Sequence, residues 1–308
     1  MKIRIYPPPK QAKYHRSRLE LTERNFIKLT HHHSATFNAA LQRFVSESDR
    51  NLELSYGQVK QEKCLLRIHI SKAKSKHPES YHLTNSSTGI QLSASAEQGL
   101  YRGLMSLKQI LQQSGRDLPY FEISDEPDFK HRGIMLDNSR TKVPSIKTLK
   151  HLIDRFADLK YNQLQLYTEH TFAFSQHPTV WANASPYTAM DMMEIHQYCQ
   201  SRYIELVPNL NCFGHFERWL RHPDYKAYAE CPEGFIHPVD QSQVPFGSTL
   251  KPNRKSLNLL NELYAEYLPL FESQHFNVGG DEPWELGKGW SAERANRKVP
   301  PKFISILC

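Results

Sequence analysis

No stretch of these 308 residues is both apolar enough and long enough to span a bilayer as a helix. The N-terminal run Met1-Lys2-Ile3-Arg4-Ile5-Tyr6-Pro7-Pro8-Pro9 lacks the apolar core of a secretory signal, so a cytoplasmic protein with no membrane partner is expected. Cysteine is scarce. Cys64, Cys199, Cys212, Cys231 and Cys308 are odd in number and far apart, which reads as reduced thiols with no zinc site. His31-His32-His33 has no partner ligands at useful spacing and reads as a polar loop or helix face. The net charge of +7 is spread along the chain without a Lys/Arg block, and no nucleic-acid motif accompanies it. A solvated surface accounts for it, and no nucleic-acid partner is expected.

What is present is a globular composition, 39% hydrophobic and 23% charged, long enough for one large domain or two ordinary ones. Up to about Asp125 strand-like and helix-like runs are mixed. Cys64–Ile70 and Gly89–Ala94 read as strands, and Gln98–Gln112 carries Leu100, Leu104, Leu107, Ile110 and Leu111 at helical spacing. A small α+β domain over 1–125 is the expectation, closed by the polar, proline-bearing stretch Ser124–Phe129. From 126 to 308 the pattern becomes regular. His131–Asp137, Gln163–Thr168, Ile204–Leu210 and Phe276–Gly279 read as strands. Pro144–Lys160, Tyr187–Tyr203 and Ser256–Phe271 read as helices between them. Strand and helix in alternation argue for parallel βα units, whose ligands sit at the carboxyl ends of the strands. Those ends carry Asp137 and Arg140, Glu169 and His170, Asn211 and His215, then Asp281 and Glu282.

The last of these ends is the most informative. His275-Phe276-Asn277-Val278-Gly279-Gly280-Asp281-Glu282-Pro283-Trp284 runs from an extended apolar segment through two glycines into adjacent carboxylates and an aromatic. Gly-Gly permits a sharp turn with room beside it, and two neighbouring acids can do different jobs if their environments push their pKa values apart. A solvated Asp-Glu turn is the bland alternative, and Trp284 either lines the pocket or caps the strand end.

In these residues the chain resembles the β-N-acetylhexosaminidases of glycoside hydrolase family 20, over most of Thr88 to Trp290. Arg132-Gly133-Ile134-Met135-Leu136-Asp137 with Ser139-Arg140 is similar to that family's first barrel strand. Val207–His215 is similar to its third, His275–Glu282 to its fourth, and Gly99–Gln109 to a helix of the preceding small domain.

The resemblance implies a (β/α)8 TIM barrel, no cofactor or metal, and retaining hydrolysis of terminal β-linked N-acetylhexosamine (GlcNAc or GalNAc). The sugar's own 2-acetamido oxygen would attack, through an oxazolinium intermediate. It implies Glu282 as acid/base and Asp281 as holder of the acetamido group, with Arg132 clamping sugar hydroxyls and His215 orienting or tuning the acid. A salt bridge for Arg132 and a core hydrogen bond for His215 are the structural alternatives. Where the family commonly has two aspartates after the second strand, this chain has Thr168-Glu169-His170, and Glu169 is expected to fill the acidic role. After Trp290 the resemblance stops, so about four of eight βα units are expected, with exposed half-barrel edges open to self-association. Two rival expectations stay open: a truncated, inactive remnant or interaction module, and a different barrel glycosidase using two distant carboxylates.

Overall fold

Helix α2 (Glu97–Ser114) is the spine of the first part of the molecule, and its sequence explains why. Leu100, Tyr101, Leu104, Met105, Leu107, Ile110 and Leu111 are all buried. Gly99 lets it lie against its neighbours, because a Cβ there would meet the Ser80 carbonyl oxygen at 2.2 Å. In the computed structural model residues 3–22, 25–29, 32–48, 52–56, 64–71 and 77–295 are described, with backbone alone for 52–56 and 64. They group into two units: one drawn from 1–133, 150–162 and 198–204, the other from 134–149, 163–197 and 205 onward.

The first unit holds β1 (Gln11–Glu20), β2 (Asn25–Leu29), α1 (Ala35–Glu47), β3 (Leu52–Tyr56), β4 (Cys64–Ile70), β5 (Tyr81–Ser86), β6 (Gly89–Ala94), α2 and β7 (Asp117–Asp125). Its sheet has the order β1-β7-β5-β6-β4-β2-β3. The strands β3, β2, β4 and β6 run parallel in turn, whereas β5 pairs antiparallel with both β6 and β7, and β1 antiparallel with β7. Both strands and the helix expected here are present, and β1, β2, β3, β5, β7 and α1 add to them. Helix α1 starts at Ser34, whose hydroxyl accepts from the Phe37 N–H at 3.1 Å. Of the triple histidine, His32 and His33 lie in the loop before α1, and His31 falls outside the described residues.

A polar knot sits among these apolar layers. Glu79, 7% exposed, accepts from Arg102 Nε at 2.6 Å, from Arg132 Nη2, and through its other oxygen from Asn162 Nδ2 at 2.8 Å. Lys160 Nζ meets Asp125 at 2.9 Å beside it. The Glu79 carboxyl is held below its usual range, since burial alone would raise it but the two guanidinium groups outweigh burial.

The second unit begins a TIM-barrel-like α/β arrangement. Its elements are β8 (Gly133–Asp137), β9 (Gln163–Tyr167), α4 (Pro178–Trp181), β10 (Glu205–Val207), α6 (Glu217–Leu220), α7 (Pro223–Lys226), β11 (Phe235–Ile236), β12 (Gln243–Val244), α8 (Arg254–Tyr267) and α9 (Trp290–Ala295), while α3 (Ile146–Asp158) and α5 (Ala189–Gln200) begin in it and end in segments grouped with the first. Strands β8, β9 and β10 are adjacent in one sheet, and β10 pairs parallel with β9. The helices have local signals. Thr188 and Asp191 exchange backbone and side-chain bonds ahead of α5, and the Asn253 side chain accepts from the Ser256 N–H in α8. Packing is aromatic: Phe172, Phe174, Phe216, Trp219 and Tyr267 are each buried, with Phe172 in edge contact with Phe174 and Tyr267.

Two strand expectations are corrected. The third strand is ordered only over Glu205–Val207, because Pro208 has no N–H to give, and single bridges at Asn209 and Leu210 continue its line. Phe276–Gly279 does not form a strand. It makes one parallel bridge, Asn209 with Asn277, carried by Asn277 N–H to Pro208 O at 2.9 Å and Leu210 N–H to Asn277 O at 3.1 Å. The Asn277 side chain then accepts from Gly279 N–H at 3.0 Å, and Gly279 and Gly280 take φ of +66° and +101°, so the ladder cannot extend.

Candidate active site

The residues that the sequence places at successive strand ends meet around His215. Its ring, 9% exposed, lies between two groups of charges. Arg140 Nη2 is 3.3 Å from His215 Nδ1. A guanidinium only donates, so Nδ1 accepts, and the ring proton belongs on Nε2. Nε2 then donates to Asp281 Oδ2 at 3.2 Å and stands 3.6 Å from Glu282 Oε2. One imidazole thus spans the adjacent carboxylates, both of which are open, with side chains 61% and 50% exposed.

Arg140 connects the ends of β8 and β9. Its Nη1 binds Asp137 Oδ2 at 2.8 Å, its Nη2 binds Glu169 Oε1 at 3.0 Å, and its guanidinium carbon lies 4.9 Å from the centre of the Tyr167 ring. Tyr167 in turn donates to Glu169 at 2.8 Å and accepts from Asn211 Nδ2 at 2.8 Å. Burial raises the Glu169 carboxyl, Glu217 raises it further, and the Tyr167, Arg140 and His215 contacts oppose both. Asp137 goes the other way: burial would raise it, but Arg140 and the backbone N–H groups of Ser139 and Arg140 hold it below its usual range.

The acidic loop is fixed from both sides. Behind it, buried Glu285 accepts from Ser248 N–H at 2.9 Å, Ser248 Oγ at 2.6 Å and Thr249 Oγ1 at 2.7 Å. In front, Gly279 abuts Asn211, where a Cβ would meet the side-chain oxygen at 2.0 Å. His215 and Glu282 both have positive φ, +59° and +51°, strained backbone for residues other than glycine. Gly279→Ala combines that strain with a clash. It is expected to lower stability by about 1–3 kcal/mol, read as a lowered urea midpoint at unchanged slope.

Four of the five expected site residues therefore have a common place: Glu282, Asp281, His215 and Glu169. Arg132 belongs to the first unit, and its guanidinium is engaged there, by Glu79, by the Lys160 carbonyl (3.0 Å from Nε) and by the Phe129 carbonyl (2.8 Å from Nη1). The hydroxyl clamp expected of it is replaced by a structural ion pair, with Glu79 rather than a barrel acid as partner. Glu169 also differs from expectation, since a side chain 1% exposed braces Arg140 and presents no face to a ligand. The residue undervalued in the sequence is Arg140. It stands at the first strand end, three residues after Asp137, and its side chain is 49% exposed beside the acids. Trp284 packs edge-on against His237, ring centres 5.8 Å apart. Among the described residues no group of three or more His, Cys, Asp or Glu has the geometry of a metal site, and Cys199 and Cys231 are free thiols.

Comparison with known proteins decides the family. Residues 129–300 match the catalytic domain of glycosyl hydrolase family 20, and residues 2–126 match domain 2 of the same family. The chain belongs to glycosyl hydrolase family 20. Among its relatives are β-hexosaminidase subunit A1 of Dictyostelium discoideum, 27% identical over 217 residues, and a β-hexosaminidase of Akkermansia muciniphila, 26% identical over 239. The first alignment takes in 66% of this chain and 39% of that protein, the second 68% and 46%. This family 20 chain thus spans less than half the length of these curated relatives. Among solved structures it is similar to the chitobiase of Flavobacterium johnsoniae, with TM-score 0.77 and 25% identity over 96% of this chain and 48% of that one. It shares its fold with the exo-β-N-acetylglucosaminidase of Vibrio harveyi, with TM-score 0.79 and 16% identity over 95% and 49%. No helix among the described residues is long and apolar enough to cross a membrane.

Proposed function

We propose that this site releases terminal β-linked N-acetylhexosamine from glycans, with the substrate's own acetamido group as nucleophile. The observation that carries the reading is the imidazole of His215 shared by Asp281 and Glu282, 3.2 and 3.6 Å from its Nε2, in a chain of family 20. Glu282 protonates the glycosidic oxygen as the acetamido oxygen attacks the anomeric carbon, and later takes a proton from the water that opens the oxazolinium. Asp281 accepts from the acetamido N–H and stabilises the positive charge that develops there. The Nε2–H of His215 donates to Asp281 and fixes its rotamer.

Arg140 is the group that takes sugar hydroxyls, because its fork of donors is half-exposed and aimed by Asp137 and Glu169. Glu169 is a positioning residue, acting through Arg140 and Tyr167. The names of the relatives, β-hexosaminidases and N-acetylglucosaminidases, support the substrate class.

The discriminating experiment compares nitrophenyl β-N-acetylglucosaminide with the plain β-glucoside, which differs in having a 2-hydroxyl. Release from the first and none above background from the second is the expected result. Comparable release from both would overturn the reading, because an enzyme carboxylate would then have to be the nucleophile.

A further inference from the structure

Next to the carbohydrate site, on the loops that follow β8 and β9, lies a second pocket of about 280 Å³. Lys142, His170, Arg218, Arg221 and His222 line it together with hydroxyl and amide side chains, and no carboxylate does. Its lysine and arginines have no ion-pair partner among the described residues. Two ring nitrogens there are buried without a hydrogen-bond partner: Nδ1 of His170, a residue 6% exposed, and Nε2 of His222. Unsatisfied buried polar atoms are destabilising, so two at one pocket call for an explanation.

From this arrangement we infer that the pocket is a binding site for a tetrahedral oxyanion, a sulfate or a phosphate group. Lys142 reaches it from the loop after β8, and Arg218 and Arg221 from α6 and its C-cap, so positive charge meets the pocket from two segments and can surround a group with several oxygens about one atom. Guanidinium forks on Arg218 and Arg221 can each take two of those oxygens. Burial first, then Arg218 and Arg221, hold the His170 ring down to about 4, so it is a neutral imidazole at the pocket wall. Ser139 and His170 line the pocket, and their chain neighbours Arg140 and Glu169 belong to the carbohydrate site. Two sources of the group are therefore open to test: a free ion, or a monoester carried on the glycan. The site does not rest on the hydrolytic reading and is measured by binding alone.

The test is isothermal titration of the protein with sodium sulfate, sodium phosphate, N-acetylglucosamine 6-sulfate and unmodified N-acetylglucosamine, at constant ionic strength. One saturable oxyanion site per chain is expected. Arg218→Ala and Arg221→Ala, both exposed positions, should each raise Kd about tenfold or more. Lys147→Ala, an exposed charge outside the pocket, should leave it unchanged. A sulfated sugar at least about tenfold tighter than both free sulfate and the unmodified sugar would mean that the anion arrives on a glycan. Equal affinity for free sulfate and the sulfated sugar would mean a free-ion site. Absence of saturable binding by any oxyanion ligand, or binding indifferent to both arginine variants while their unfolding midpoints match wild type, overturns the proposal.

Discussion

Glu282→Gln is expected to lower kcat on an N-acetylglucosaminide with an alkyl or sugar leaving group by about 10²–10⁴-fold, the usual contribution of a positioned acid, with KM changed little. Glutamine keeps the size of the side chain and its place near His215 but cannot deliver a proton. The loss should therefore depend on the leaving group. A dinitrophenyl aglycone departs as a stable anion and needs little protonation, so the same variant should keep most of its rate in forming the intermediate on that substrate. Asp281→Asn gives the contrasting signature, a loss that persists whatever the leaving group, because stabilising the acetamido nitrogen is required in every case. If Glu282→Gln cost less than about tenfold on the poor leaving group, or cost the same on both, the acid role would have to move elsewhere in the site.

What could be read from the sequence divides along physical lines. Helix α2 was legible because its buried face repeats at helical spacing, and α3 and α8 were legible for the same reason. The order of strand ends was legible because parallel βα units bring those ends together whatever the loops between them do. Strand β1 escaped because its ten residues, Gln11–Glu20, are exposed along nearly their whole length and show no alternation. The 216–253 segment escaped too, since α6, α7 and the β11–β12 pair are each four residues or fewer, too short for any periodicity. At the site, the Gly-Gly-Asp-Glu run announced itself by chemistry. The choice between Arg132 and Arg140 did not, because both flank the same short strand. Only the fold reveals that Glu79, more than fifty residues upstream, claims the first and leaves the second to the site.

That claim leads to the largest expected effect on stability. Glu79→Ala should destabilise the first unit by about 3–5 kcal/mol, because it removes one partner of a buried charge cluster and leaves the others uncompensated. The side chains involved are well sequestered: Arg102 is 2% exposed, Glu79 8% and Arg132 18%. Without the carboxylate, two guanidinium groups and the nearby Lys160 ammonium share a region with Asp125 as the remaining acid. Lys160 already shows the repulsion, its pKa lowered by burial first and then by Arg102 and Arg132, against the pull of Asp125. Glu79→Gln should fall short of the full loss, since it keeps the shape and can still accept from Asn162 while removing the charge. The pH dependence has a definite sign. The folded pKa of Glu79 is depressed, so its contribution is complete above the unfolded value of about 4.3 and disappears as pH falls through the folded value. Urea midpoints for wild type and Glu79→Ala should therefore differ by a constant amount from neutral pH down to about pH 5 and converge in stronger acid. A difference below about 1 kcal/mol at neutral pH, or one that widens on acidification, would mean that the arginines find water or Asp125 as cheaply as they find Glu79.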